Sequence, residues 1–85
     1  MKLDFSRQFV RDYKKLAPQI QKQTDKALVL LLENIRYPSL RVKKVRGSND
    51  EFELSITMNY RAKFFIEEDT YFLLRVGTHT EILGR

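Results

Sequence analysis

His79 is the only histidine in the chain, and it follows Gly77 and Thr78 where the final run of strand-like residues ends. An imidazole, with an ordinary pKa of roughly 6.5, can give or take a proton at neutral pH. Taken alone, a histidine at a strand end is more often a surface or packing residue than a catalyst, so its weight depends on its company. Arg61 and Arg75 fall on strands expected to pair. Guanidinium groups placed there can grip a phosphodiester bidentately or stabilise the charge that develops on it. The same arginines can instead pair with Glu53 and Glu67 across the strands, and a carboxylate that orients an arginine leaves it able to touch a phosphate.

A second set of cations precedes them. Arg41, Lys43, Lys44 and Arg46 put four positive charges into six residues of an expected strand and its exit at Gly47. Such a run reads as a phosphate-binding stripe, to which Lys63 adds from a neighbouring strand, or as a charged edge that blocks sheet-to-sheet aggregation. Other chemistries lack their parts. One histidine without any cysteine makes a poor metal-ligand set, and no glycine-rich phosphate loop or nucleophile elbow is present.

The elements that must position these residues follow from periodicity. Leu3 to Phe5 suits a brief edge strand, and Ser6 offers its hydroxyl to the free amides of a helix running to about Leu16. Phe9, Tyr13 and Leu16 form its apolar stripe, with Arg7, Arg11, Lys14 and Lys15 left to water. Pro18 suits the first position of a second helix, and Pro38 is expected to stop it by restricting Tyr37. Ile20, Thr24, Ala27, Leu28, Leu31 and Ile35 line one side of that helix. Val29, Leu30 and Leu32 fall outside the stripe, either buried by the fold or presented to a partner's groove.

From Leu40 the period becomes two. Phe52, Leu54 and Ile56 alternate with polar residues, and turns are expected at Gly47–Asp50, Met58–Asn59 and Glu68–Asp69. An antiparallel meander is the simplest arrangement. If Phe72, Leu74 and Val76 face the helices with Tyr60, Phe64 and Ile66, then Arg61, Lys63 and Arg75 share the wet face. A two-residue turn at Glu68 and Asp69 would break that sharing, so a three-residue loop or a bulge near Gly77 is expected.

Composition bounds the rest. The 85 residues allow one modest core, and 42% hydrophobic with 12% aromatic residues is enough to pack it. The 16 Lys and Arg against 11 Asp and Glu leave a formal charge of +5, which favours a polyanionic partner. The absence of cysteine makes reducing cytoplasm the default compartment, and neither a leader-like segment nor a run long enough to span a membrane is visible. The expectation is one domain over residues 1–85. It is an α+β fold with an N-terminal helical hairpin packed on a small twisted antiparallel sheet, whose solvent face is expected to grip a polyanion; charge alone does not separate RNA from DNA, acidic protein or anionic membrane.

The basic helical hairpin, the element Lys43-Lys44-Val45-Arg46-Gly47, the pair Tyr60-Arg61 opening a strand, and the ending Leu74 to Leu83 together resemble the RelE/ParE toxin superfamily over essentially the whole chain. The ending Gly77-Thr78-His79-Thr80-Glu81-Ile82-Leu83 is most similar to the YafQ-type branch. The resemblance implies the toxin of a type II toxin–antitoxin system, a ribosome-dependent endoribonuclease that cuts messenger RNA through the RNA's own 2′-hydroxyl without a metal or other cofactor. Carried over by position, it makes Arg61 and His79 catalytic and Lys43, Lys44 and Arg46 RNA-binding, and the basic run and wet face read from the residues add Arg41, Lys63 and Arg75 to the RNA-binding set. It also implies a free monomer restrained by an acidic antitoxin, whose helix is expected to dock at Val29 and Leu30 to form a hetero-oligomer. The sequence departs from the RelE pattern at Glu53 and Ser55, where paired lysines are usual, and at Leu83, where an aromatic residue stacks on a base. Tyr71 or Phe65 can offer a substitute aromatic surface. The alternatives are a ParE-like toxin that inhibits DNA gyrase without cutting RNA, and a basic nucleic-acid-binding module.

Overall fold

The computed structural model describes residues 1–84. In chain order it forms β1 (Lys2–Phe5), α1 (Arg7–Lys15), α2 (Pro18–Glu33), a 3-10 turn at Pro38–Leu40, β2 (Lys43–Lys44), β3 (Glu51–Ser55), β4 (Tyr60–Glu67), β5 (Thr70–Thr78) and α3 (His79–Leu83). The five strands are ordered β1-β5-β4-β3-β2. β2 to β5 form the expected antiparallel meander, and β1 joins the far edge parallel to β5. The α+β class stands, with a mixed rather than wholly antiparallel sheet. Among the described residues, no helix is long and apolar enough to cross a membrane.

Ser6 makes the junction between sheet and helix. Its Oγ accepts from the Phe9 amide at 2.9 Å and donates to the Leu74 carbonyl at 2.8 Å, so the cap of α1 is also a tie to β5. Phe9 is buried, Tyr13 and Leu16 pack against the core, and Arg7, Arg11, Lys14 and Lys15 are exposed, as the periodicity requires. Pro18 opens α2, where a missing amide costs nothing. The helix stops at Glu33, ahead of the expected stop at Pro38. Asn34 leaves the helical region at φ −167°, and its side chain accepts from the Arg36 amide while its carbonyl accepts from Tyr37. A local asparagine turn competes with helix continuation and wins. Pro38 then begins the short 3-10 turn instead.

Ala27, Leu28 and Leu31 of α2 meet Leu54, Ala62, Phe64, Leu73 and Val76 on one face of the sheet, and Leu31, Leu54, Phe64 and Leu73 are fully buried. The register of β5 differs from expectation. Glu67 pairs with Thr70, so the turn has two residues, with Glu68 at φ 54°. The bulge that follows falls at Leu74, opposite the Lys63–Phe64 step, and not at Gly77. Tyr71, Leu73 and Val76 therefore face the helices in place of Phe72, Leu74 and Val76, and Ile66 is left 39% exposed beside the hairpin tip. The extra residue restores the phase, since Lys63 then stands opposite Arg75 and Arg61 opposite Gly77. Arg61, Lys63 and Arg75 thus leave the backbone on the same outer face, as expected.

Candidate active site

The turn between β3 and β4 frames the site. Thr57 Oγ1 accepts from the amides of Asn59 and Tyr60, which closes the turn locally. Three of its carbonyls then converge on Arg61, whose Nη1 donates to Thr57, Met58 and Tyr60 at 2.7, 2.9 and 3.0 Å. A fourth carbonyl, that of Asn59, accepts from the backbone amide of His79 at 3.0 Å. Arg61 and His79 come from separate strands' ends, yet one turn holds both. They line a single open cleft of about 610 Å³ together with Met58, Asn59, Thr78 and Ile20. With Nη1 committed to the turn, Nη2 of Arg61 has no hydrogen bond among the described residues. That arm of the guanidinium is available to an anion.

His79 is the first residue of α3, a helix absent from the sequence reading. Thr78 caps it reciprocally: its Oγ1 accepts from the Glu81 amide at 3.2 Å, and the Glu81 carboxylate accepts from the Thr78 amide at 2.9 Å. The Thr78 amide donating to Glu81 holds that carboxyl below its usual pKa. The signal was present as Thr78-x-x-Glu81, the capping-box pattern. Gly77 completes the arrangement, because a Cβ there would lie 2.9 Å from Glu81 Oε1 and 3.2 Å from Ile82 Cγ2. Its missing side chain lets α3 fold back onto the sheet.

Behind Arg61 lies Glu53, expected on the wet face and found 1% exposed. Its Oε1 stands 3.8 Å from Arg61 Nε and 4.0 Å from Lys43 Nζ, while Oε2 is buried without a hydrogen-bond partner. The register sets Lys43, Glu53, Lys63 and Arg75 side by side across four strands, so the long cationic side chains roof the carboxylate. Lys63 is also paired, with Glu51 at 3.5 Å.

Arg75 does not join Arg61 in one clamp. Its Nε lies 2.7 Å from Asp12 Oδ2 and its Nη2 3.3 Å from Oδ1, and Oδ2 also accepts from the Val76 amide at 3.1 Å. β1 ends at Phe5, opposite Leu73, so the edge of β5 beyond it would leave amides unpaired, and Asp12 of α1 fills that position. Burial alone would raise the Asp12 carboxyl, but hydrogen bonds from Arg75, Gln8 and the Val76 amide outweigh it and hold the pKa below the usual aspartate value. No pattern in the linear sequence points to this link, which spans more than sixty residues.

The other expected site residues are dispersed. β2 contains only Lys43 and Lys44, which point to opposite faces; Arg41 sits in a left-handed conformation at φ 48° and Arg46 in a turn, so the basic run makes no single stripe. Tyr71, one proposed wet-face aromatic, is 5% exposed in the core, while Phe65 does lie on the outer face. Val29 is 54% exposed, but Leu30 packs against the core. Among the described residues, no group of His, Cys, Asp and Glu is arranged to hold a metal ion.

Three helices packed on a five-stranded mixed sheet make an α+β architecture that matches RelE-like toxin folds. Residues 3–83 match the family model of the ParE toxin of type II toxin–antitoxin systems (parDE), and the chain belongs to that family, within the RelE/ParE superfamily. It is similar to the E. coli RelBE toxin–antitoxin complex, at 26% identity and a TM-score of 0.70 over 89% of this chain and 93% of that one. The fold also matches E. coli YafQ, at 15% identity and a TM-score of 0.81 over 96% and 97% of the two chains. A YoeB/ParE toxin from Agrobacterium tumefaciens matches at 12% identity and a TM-score of 0.79 over 93% and 99%. No curated protein matches by sequence.

Proposed function

We propose that the chain is a toxin that cleaves messenger RNA on the ribosome, with Arg61 and His79 as its catalytic residues. The observation that carries this reading is the shared cleft, in which one turn holds both groups while Nη2 of Arg61 stays open to an anion. The 2′-oxygen of the RNA attacks the adjacent phosphorus, and the bond to the 5′-oxygen breaks. Arg61 stabilises the charge gathered on the non-bridging oxygens, His79 protonates the departing 5′-oxygen, and the 2′-hydroxyl proton passes to solvent. The products are a 2′,3′-cyclic phosphate and a 5′-hydroxyl. Glu53 acts as a positioning residue that fixes Arg61 from behind. The test is to add the protein to a translating extract and map message ends. New 5′-hydroxyl ends that vanish with Arg61→Ala support the reading, and intact message overturns it.

A partner antitoxin belongs to the same proposal, since the similar structures include toxin–antitoxin complexes. Its surface is the helical hairpin, where Val10, Val29 and Leu32 are each at least 40% exposed, with Phe5 at the end of β1 equally so, and α1 carries cations outside the ion pairs of the described residues. An acidic amphipathic segment fits that combination.

A second reading has its own observation. Lys43 and Arg61 face Glu53, Lys63 faces Glu51 and Arg75 faces Asp12, so the outer face is substantially neutralised. That favours a gyrase-inhibiting toxin of the ParE kind, which a supercoiling assay run beside the message mapping distinguishes.

A further inference from the structure

The outer face carries one feature that catalysis does not use. Phe65 and Phe72 are partners across β4 and β5, and their rings stack at 4.9 Å between centroids and 10° between planes. They lie on the side opposite Phe64 and Leu73, both fully buried, and are themselves only half-buried. Neither ring belongs to the core. Elsewhere the sheet turns its aromatic rings inward, as at Phe64 and Tyr71, so an apolar ring pair here faces solvent by construction.

Its place in the register gives it meaning. Moving along β4 from this pair, the next outer-face partners are Lys63 and Arg75, then Arg61 and Gly77, and His79 follows directly after β5. Phe65 to Arg61 covers roughly 14 Å at about 3.4 Å per residue. The aromatic pair, the ion-paired Lys63 and Arg75, the guanidinium of Arg61 with its open Nη2, and an imidazole therefore lie along one lane. Stacking rather than net charge is thus what the far end of the lane offers a single strand. Acids flank the pair on both sides, Asp4 beside Phe72 and Glu51 beside Phe65, and of these Glu51 is paired with Lys63, so the subsite suits an uncharged base while the phosphates run towards Arg61. Glu67 and Glu68 at the hairpin tip repel phosphate and end the lane.

We propose that the Phe65–Phe72 pair is a base-stacking subsite for single-stranded RNA, holding a nucleobase a short distance along the strand from the phosphate bound at Arg61. The inference rests on the reading of the Arg61–His79 cleft as an RNA site. A base adds a third ring to a stack already formed, and the pair fixes which nucleotides lie beside the scissile bond.

The test uses dye-labelled message made uncleavable by 2′-O-methyl groups, presented both free and on ribosomes. Phe65→Leu and Phe72→Leu keep apolar volume while removing the ring. The double variant is expected to bind about 10- to 100-fold more weakly, with a deficit that persists at high salt because stacking releases no counterions. Thermal unfolding of the variants controls for folding. The chain has no tryptophan, so Phe72→Trp adds a single indole whose emission is expected to be quenched by free RNA. Wild-type affinity in the leucine variants overturns the inference, as does an indole that responds to an acidic antitoxin peptide but not to RNA. The nuclease reading falls separately: RNA that binds and quenches without any cleavage by the wild type supports the stacking subsite and removes only the catalysis, whereas cleavage by the wild type with unchanged leucine variants does the reverse.

Discussion

At the scale of single residues, the site is built from backbone bonds as much as from side chains. Arg61 is held by carbonyls of the turn that precedes it, and the main chain of His79 by the hydrogen bond its amide donates to the Asn59 carbonyl. His79→Gln keeps that amide and should lower cleavage by about 10² to 10⁴ while the protein still folds. Full activity in that variant would remove His79 from the mechanism. Asp12 makes a different prediction. Its folded-state pKa is lowered, so its stabilising contribution is fully present above the ordinary value of 3.8 and is lost as pH falls through the folded value. Asp12→Asn should therefore flatten the acid limb of a stability profile. Asp12→Ala, by stranding Arg75 and the Val76 amide, should cost about 1.5–3 kcal/mol in urea unfolding at neutral pH. Arg61 and His79 were legible as residues, because guanidinium and imidazole chemistry can be named from residue type. Glu53 and Asp12 were not. Their burial depends on which strands lie side by side and on where an edge is left open, neither of which is written in local spacing.

At the scale of elements, the decisive addition is α3. Two strands and a turn bring His79 near Arg61, but its orientation depends on a helix of only five residues, held by the capping box and by the space above Gly77. Thr78→Ala should cost about 1 kcal/mol through loss of the cap, and its effect on cleavage should exceed its effect on stability because His79 directly follows the cap. Gly77→Ala places a methyl against Glu81 and Ile82 and should displace α3 more severely. The measurement is the ratio of kcat loss to stability loss, and equal proportional losses would argue that α3 does not position His79. The meander, the helical hairpin and all three turns were readable from period and turn residues. The bulge at Leu74 was not, since Phe72-Leu73-Leu74 offers apolar residues to either phase and only packing against Phe64 selects one. The end of α2 was not legible for a related reason: proline is a conspicuous stop, and Asn34 makes a quieter one first.

At the scale of the whole molecule, charge is divided unequally. The sheet's outer face carries cations whose carboxylate partners are supplied internally, whereas Arg7, Arg11, Lys14 and Lys15 on α1, with Lys22 and Lys26 on α2, are exposed and outside the ion pairs of the described residues. The helical side therefore carries six exposed cations outside those ion pairs, beside the exposed Val29 and Leu32, while Arg36, Arg41, Lys44 and Arg46 add others beyond the helices. An acidic antitoxin segment bound there gains both long-range attraction and apolar burial, and the two contributions separate experimentally. Charge reversal at Arg11 and Lys14 should slow association and weaken its dependence on salt, while Val29→Asp should speed dissociation without lowering the unfolding temperature. Leu30→Asp is the contrasting control. Leu30 packs against the core, so its substitution should destabilise the free protein itself. Equal loss of antitoxin affinity in the two aspartate variants, with both folded, would place the interface on a different face of α2. If Val29→Asp binds as tightly as wild type, the exposed apolar residues of the hairpin serve another partner.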